Sequence, residues 1–295
     1  MTWFIDLRAI SKGGVCATEA TLRRSDKTQA PLSELLSVIE GKHVLLGTHG
    51  FNVDRQEGIG SLTAWEHLLS LDEQTVFIGV LWAGDSRWLP VLDYPIEGEE
   101  AIASARLLAP FLDEHFNRAT GLSFVSHSLG ARMVLETISN LRREQVERLI
   151  LMAGAIDDNC LNREYKTAAR KVREISLLAS PCDRVLQLAF PLGNPLAGII
   201  SRGHPYWHSA LGYSGPDAPY VSNLRPGWLI PKAWNYGHGD YLCDEPYSLA
   251  QKQPPPVYAP IKNSTVPTDN PAWSAGFVST RLDPALLRRA LNNDG

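Results

Sequence analysis

Leu122-Ser123-Phe124-Val125-Ser126-His127-Ser128-Leu129-Gly130 is the stretch on which the reading of this chain turns. Its first half is a short apolar run without polar alternation, the pattern of a strand buried on both faces. Across 129–141 the period changes, and Met133, Val134 and Ile138 fall on one stripe of a helix. The strand must therefore become a helix within the five residues Ser126-His127-Ser128-Leu129-Gly130. Small residues two before and two after Ser128 allow so sharp a turn, and Ser126 and Gly130 supply them. The pattern is S-x-S-x-G rather than G-x-S-x-G, a departure that the small Ser126 tolerates. Ser128 then stands at a helix N-terminus, where free N–H groups and the positive dipole end favour a developing oxyanion. A serine that merely caps a buried helix spells the same five residues; the strand-turn-helix context favours the nucleophile.

Working outward, similar apolar runs at 43–47, 75–82, 148–153 and 174–179 alternate with helical patterns at 32–40, 61–71, 99–116 and 163–173. The helix over 61–71 takes Ser61 as its cap, and Pro110 should kink the one over 99–116. Alternation of this kind predicts an α/β fold with a mostly parallel central sheet flanked by helices. No fixed-period repeat occurs. Residues 184–235 are rich in Gly, Pro and aromatics and are expected to form an irregular, cap-like insertion. The Pro-rich stretch from 251 to 295 is expected to wrap the surface in extended form and to end in a short helix, with Asp283 as N-cap and Pro284 first. All of this describes one domain over 1–295.

Composition narrows the function classes. The 295 residues carry 28 Lys and Arg against 32 Asp and Glu, a formal charge of −4, so nothing points to nucleic acid. Hydrophobic residues reach 44% and charged ones 20%, enough apolar surface to offset chain entropy. No apolar run reaches about 18 residues, so no transmembrane segment is expected. Asp6 and Arg8 interrupt what would be the apolar core of a secretory signal. The four cysteines (Cys16, Cys160, Cys182, Cys243) form no CxxC pair, which fits reduced thiols in the cytoplasm. Gly58-Ile59-Gly60 lacks the third glycine of a dinucleotide loop, and no GxxxxGK[ST] occurs. His204 and His208 have an i, i+4 spacing, but Pro205 opposes the helix a metal pair needs. No metal and no cofactor is expected.

His49-Gly50-Phe51-Asn52 follows the strand at 43–47. Gly50 lets the backbone turn close to a nucleophile, and the N–H groups of Phe51 and Leu129 are the expected oxyanion hole. On the segments LLGTHGFN at 45–52, Leu81-Trp82-Ala83-Gly84 with Tyr94, 99–108, 126–130, 149–157, SLLASPCDRVL at 176–186 and LGYSGPD at 211–217, the chain resembles the bacterial α/β-hydrolase family known as DUF900. The resemblance spans about 43–240. It implies the α/β-hydrolase fold and a Ser-Asp-His mechanism, with no defined substrate.

The acid should follow a late strand, and the base should come last. Asp183 fits best, because the resembled family places its acid there; Asp157 and Asp158 are the rivals. Among His204, His208 and His238, the Gly-flanked His238 in Tyr236-Gly237-His238-Gly239-Asp240 suits a loop that reaches back to Ser128. His204 and His208 read as cap or surface histidines. His49, Gly50, Trp82 and Trp207 are expected to bind a small-molecule acyl substrate, with Trp88 also at that end. Phe190, Tyr206, Tyr213, Tyr220, Trp228 and Trp234 either line an apolar pocket or pack the cap onto the core. An ester hydrolase leads; an amidase, peptidase or thioesterase on the same residues, or a hydrolase-fold binding module, are the alternatives. The oligomeric state is left open.

Overall fold

A computed structural model describes residues 1–85, 94–188, 208–244, 266–283 and 285. Trp88, Phe190, His204, Tyr206, Trp207, Pro284 and the proline cluster at 254–260 lie outside them. Seven strands form one sheet: β1 (Trp3–Arg8), β2 (Cys16–Arg24), β3 (His43–Thr48), β4 (Thr75–Leu81), β5 (Gly121–His127), β6 (Val146–Met152) and β7 (Val172–Leu178). Their order is β2-β1-β4-β3-β5-β6-β7. Among these strands of the described residues, only the β1–β2 pair is antiparallel. The α/β class and mostly parallel sheet expected from the alternation are therefore present.

Helices α1 (Leu32–Ile39), α2 (Arg55–Glu66), α3 (Tyr94–His115), α4 (Gly130–Asn140), α5 (Lys166–Lys171), α6 (Leu211–Ser214) and α7 (Asn270–Leu282) join and cover the strands. Right-handed crossovers place helices on both faces of such a sheet. On one side α2 packs with α7; on the other α3 packs with α4, and α4 with α5. The sheet residues between these layers are buried on both faces, among them Leu45, Leu46, Phe124, Val125, Leu149 and Ile150.

The connection from β3 to β4 runs one way along the sheet, and the next one crosses back to place β5 on the other side of β3. The strand order thus reverses between β3 and β5, and the crevice beyond their C-terminal ends is where α/β sheets bind ligands. Register pairs Thr48 with Ser126, so the His49–Gly50 turn and the Ser128 turn leave the sheet side by side.

Several boundaries differ from the sequence expectation. Helix α2 starts six residues before Ser61. Asp54 is its N-cap, accepting from the N–H groups of Gln56 (2.8 Å) and Glu57 (3.0 Å), while Glu57 returns a bond to the Asp54 N–H. That reciprocal box outweighs the weakly amphipathic pattern. Helix α3 runs through Pro110 as one element. The 163–173 helix shrinks to α5, because β7 already begins at Val172. Residues 270–282 are not extended surface chain. They form α7, whose Trp273, Ala275, Phe277 and Val278 are buried, and Asp283 stands at its C-terminal end while also accepting from the Ala285 N–H at 2.7 Å. Residues 221–230 run beside the outer edge of β7, bridging Ile175 to Leu224 and Ala179 to Leu229 in parallel.

Strands β1 and β2 had no counterpart in the sequence reading. Asp6 and Arg8 alternate along β1 and are nonetheless almost wholly buried, because each charge is matched. Asp6 faces Arg23 Nε at 2.6 Å and Arg55 Nε at 2.7 Å, and Arg8 pairs with Asp85. Desolvation lowers the Arg8 pKa to about 10, still far above neutral pH. No helix among the described residues is long and apolar enough to cross a membrane.

Candidate active site

Strand β5 delivers Ser128 on a strained backbone. Its φ is +55°, a left-handed value unusual for a non-glycine residue and typical of a side chain held above a tight turn. The turn is locked by backbone hydrogen bonds: the Ser128 N–H donates to Met152 O (3.0 Å), and its carbonyl accepts from Ala131 (3.1 Å) and Ala155 (3.1 Å). Gly130 is required sterically, since a Cβ there would lie 2.5 Å from the His49 carbonyl oxygen. Gly50 is required in the same way. A Cβ on it would meet both Ser128 Cβ and His127 Nδ1 at 2.9 Å. The two turns that leave β3 and β5 are therefore in direct contact at the candidate nucleophile.

His238 Nε2 lies 2.9 Å from Ser128 Oγ, and His238 Nδ1 lies 2.7 Å from Asp183 Oδ2. A carboxylate only accepts, so Nδ1 carries the proton and the Nε2 lone pair faces the serine hydroxyl. Asp183 is fully buried, and its other oxygen accepts from the Leu186 N–H at 2.9 Å, which fixes the carboxylate plane. His238 opens a 3₁₀ turn (His238–Tyr241) preceded by Asn235 in the left-handed region, φ +52°. Ser180, just past β7, donates to the Tyr236 carbonyl at 2.6 Å, tying this loop to the strand that carries Asp183. A hydroxyl, an imidazole and a carboxylate in this order can pass a proton from the serine to the histidine while the carboxylate holds the ring.

Phe51 and Leu129 flank Ser128 from the two turns. Among the described residues, no hydrogen bond occupies the N–H of either. The Phe51 loop is braced from behind. Asn52, at φ +56°, donates its N–H to Gly84 O at 2.6 Å, and Arg8 donates to the carbonyls of Val53 (2.9 Å) and Trp82 (2.8 Å). Asp85, which pairs with Arg8, also accepts from the N–H groups of Gly13 (2.9 Å) and Gly14 (3.0 Å). This buried network was not read from the sequence. Asp6 and Arg8 two residues apart on an apolar run were its visible signal.

His49 and Trp82 take a different place from the one expected. Both are buried, so neither side chain presents a surface to a substrate. The Trp82 indole N–H donates to His49 O at 2.9 Å and stacks on the His49 ring. His49 Nδ1 donates to Gly50 O at 2.8 Å, and its Nε2 is buried without a partner among the described residues. Desolvation holds the His49 pKa down near about 3, which keeps the ring neutral. These two residues support the Gly50 turn from below.

The rival acid and base find each other instead of Ser128. Asp158 Oδ1 lies 3.1 Å from His208 Nδ1, and burial raises the Asp158 pKa. Asp217 lies within reach of the same pair, so the three could offer ligand atoms to a cation. Tyr213 lies in α6, Trp228 packs against Tyr220, and Trp234 packs against Trp273. A groove of about 550 Å³ between β2 and α3, lined by Leu22, Leu107 and Phe111, contains none of the residues around Ser128.

A parallel sheet with a strained serine at the switch point, backed by an imidazole and a carboxylate from later loops, defines the α/β-hydrolase class. A family model described as "Alpha/beta hydrolase of unknown function (DUF900)" matches residues 24–209, and the chain belongs to that family. The match takes in Ser128 and Asp183 and ends before His238. The comparison with curated proteins finds no match. Among solved structures, the chain is similar to an esterase domain from a Rhodothermus marinus protein, at 11% identity and a TM-score of 0.38, over 82% of this chain and 86% of that one. It is also similar to acetyl xylan esterase 1 from Thermoanaerobacterium sp. JW/SL YS485, at 13% identity and a TM-score of 0.35, over 68% and 70% of the two chains.

Proposed function

We propose that the protein is a serine hydrolase that cleaves carboxylic esters of small acyl substrates, with Ser128 as nucleophile, His238 as general base and Asp183 as the orienting acid. The observation that carries this reading is the unbroken line from Ser128 Oγ through His238 to Asp183, with contacts of 2.9 and 2.7 Å. His238 Nε2 takes the hydroxyl proton as Oγ attacks the acyl carbon, and the tetrahedral oxyanion is held by the Phe51 and Leu129 N–H groups. His238 then passes the proton to the leaving alkoxide, and the acyl-enzyme forms. Water, activated by the same imidazole, releases the acid and restores Ser128. Asp183 holds the tautomer that keeps Nε2 free to accept.

The whole chain, 1–295, acts in this reading as one catalytic domain, with 184–235 as its cap and 251–295 as a C-terminal extension. All four cysteine thiols are free, in keeping with a reducing, cytoplasmic setting. The test is labelling with a fluorophosphonate probe. The folded wild type should label and Ser128→Ala should not; an unlabelled, folded wild type would sink the proposal. Hydrolysis of p-nitrophenyl esters of rising chain length, beside matching amides and thioesters, then defines the bond and the acyl group. Turnover of the amide or thioester alone would overturn the ester assignment.

A further inference from the structure

His127 lies inside the turn that presents Ser128, and its ring reaches the loop that carries His238. Its Nε2 is 2.8 Å from the His238 carbonyl oxygen. A carbonyl only accepts, so Nε2 is the protonated nitrogen and Nδ1 is left with the lone pair. Nδ1 abuts Gly50, where an added Cβ would lie 2.9 Å away. The His127 ring also packs on the His238 ring, with centroids 4.9 Å apart, and on Tyr241, at 5.7 Å. One imidazole thus touches the oxyanion-side loop and the base loop, and is joined covalently to the nucleophile.

Asp183 holds the His238 ring, and the other anchors of the base loop grip the backbone of its neighbours. Ser180 grips the Tyr236 carbonyl, and Asp240 accepts from the Gly237 N–H at 2.6 Å within the loop. The 3₁₀ turn over His238–Tyr241 bonds the loop only to itself, whereas His127 ties the His238 carbonyl to the turn that carries Ser128. A backbone shift at His238 would carry Nε2 away from Ser128, because the side chain hangs from that Cα.

We propose that His127 is a positioning residue, whose hydrogen bond to the His238 carbonyl fixes the backbone of the base and so the approach of its Nε2 to Ser128. This rests on the reading of Ser128 and His238 as nucleophile and base. Neither His127 nitrogen faces the serine hydroxyl, so the role is exerted through His238 and not on the substrate.

The experiment compares wild type, His127→Phe, His127→Asn and His127→Gln in fluorophosphonate labelling, recording amplitude and rate constant separately. Phe keeps a ring without the donor, Asn keeps an amide too short to reach the carbonyl, and Gln keeps a donor that reaches it. Amplitude counts folded sites, whereas the rate constant reports the geometry of the site. His127→Phe should label to full amplitude with a rate constant lower by ~10²-fold, the usual cost of about 1 Å of misplacement. Ester turnover in the same variant should lose kcat while KM stays near wild type. His127→Gln should restore most of the rate. Should the Phe variant yield no folded protein, His127→Asn carries the same expectation. A labelled wild type beside a folded Phe or Asn variant of unchanged rate constant overturns the inference alone, as does a Gln variant as slow as they are. A folded wild type that does not label overturns the nucleophile reading and this inference with it.

Discussion

Acidification should destabilise this protein through His49, and the size of the effect follows from its burial. The ring is about 1% exposed, its Nε2 has no partner among the described residues, and desolvation holds its pKa near about 3 against an ordinary 6.5. The neutral form is therefore the one the fold accepts. Because the folded pKa is depressed, this stability is fully present above about 6.5 and is lost progressively as pH falls toward 3. At pH 5 the unfolded chain has taken up nearly one proton at this residue and the folded chain almost none, so stability should fall with a slope of about 1.4 kcal/mol per pH unit. From pH 7 to pH 5 the loss from His49 alone comes to about 2 kcal/mol, a large share of a typical folding free energy. Burial lowers the pKa of His43 and His127 too, adding to the loss, while the raised Glu66 and Asp158 carboxyls oppose it. A difference measurement removes these terms. Urea unfolding of wild type and His49→Asn at pH 7 and pH 5 should show the wild type losing about 2 kcal/mol more than the variant. Equal losses in the two proteins would refute the argument that His49 is held neutral by burial.

Three further outcomes follow from the geometry. Gly50→Ala must push against Ser128 Cβ and His127 Nδ1, each 2.9 Å from the new methyl, so the Phe51 loop should retreat and, with its N–H serving as proposed, kcat should fall by about 10²–10³-fold with folding retained, as read by ester hydrolysis. Asp183→Asn removes the acceptor that sets the His238 tautomer, and turnover should drop by about 10⁴-fold while probe binding is little changed; rates within tenfold of wild type would discard Asp183 as the acid. Asp85→Ala leaves the Arg8 guanidinium buried without its carboxylate and frees the Gly13 and Gly14 N–H groups, so the urea midpoint should report a loss of about 3–5 kcal/mol.

The fold was legible where periodicity was strong. Strands β3 to β7 and helix α4 announce themselves as apolar runs and a 3.6-residue stripe, signals that need no partner to be seen. Helix α2 was misplaced because its apolar pattern is weak, although Asp54 and Glu57 stand at capping-box spacing in the sequence. Strand β1 was missed because Asp6 and Arg8 look like surface charges until Arg23, Arg55 and Asp85 arrive from distant segments to neutralise them. Helix α7 was hidden among prolines, and its burial depends on packing against α2, where Trp65 donates to Ser274 at 3.4 Å.

What the sequence determined by itself is local: a strand, a turn of small residues and a helix that must lift Ser128 into the left-handed region at the end of its strand. Sterics within five residues suffice for that. Which of three histidines reaches Ser128, which of three aspartates backs it, and that His49 and Trp82 lie beneath the loop and not on it, were decided only by the tertiary structure. Asp183 and His238 stand 55 residues apart, and His238 and Ser128 stand 110 apart. Over such separations nothing in the local chemistry of the chain brings the groups together. Their meeting is set by the strand order, which reverses between β3 and β5 and gathers the loops at one end of the sheet.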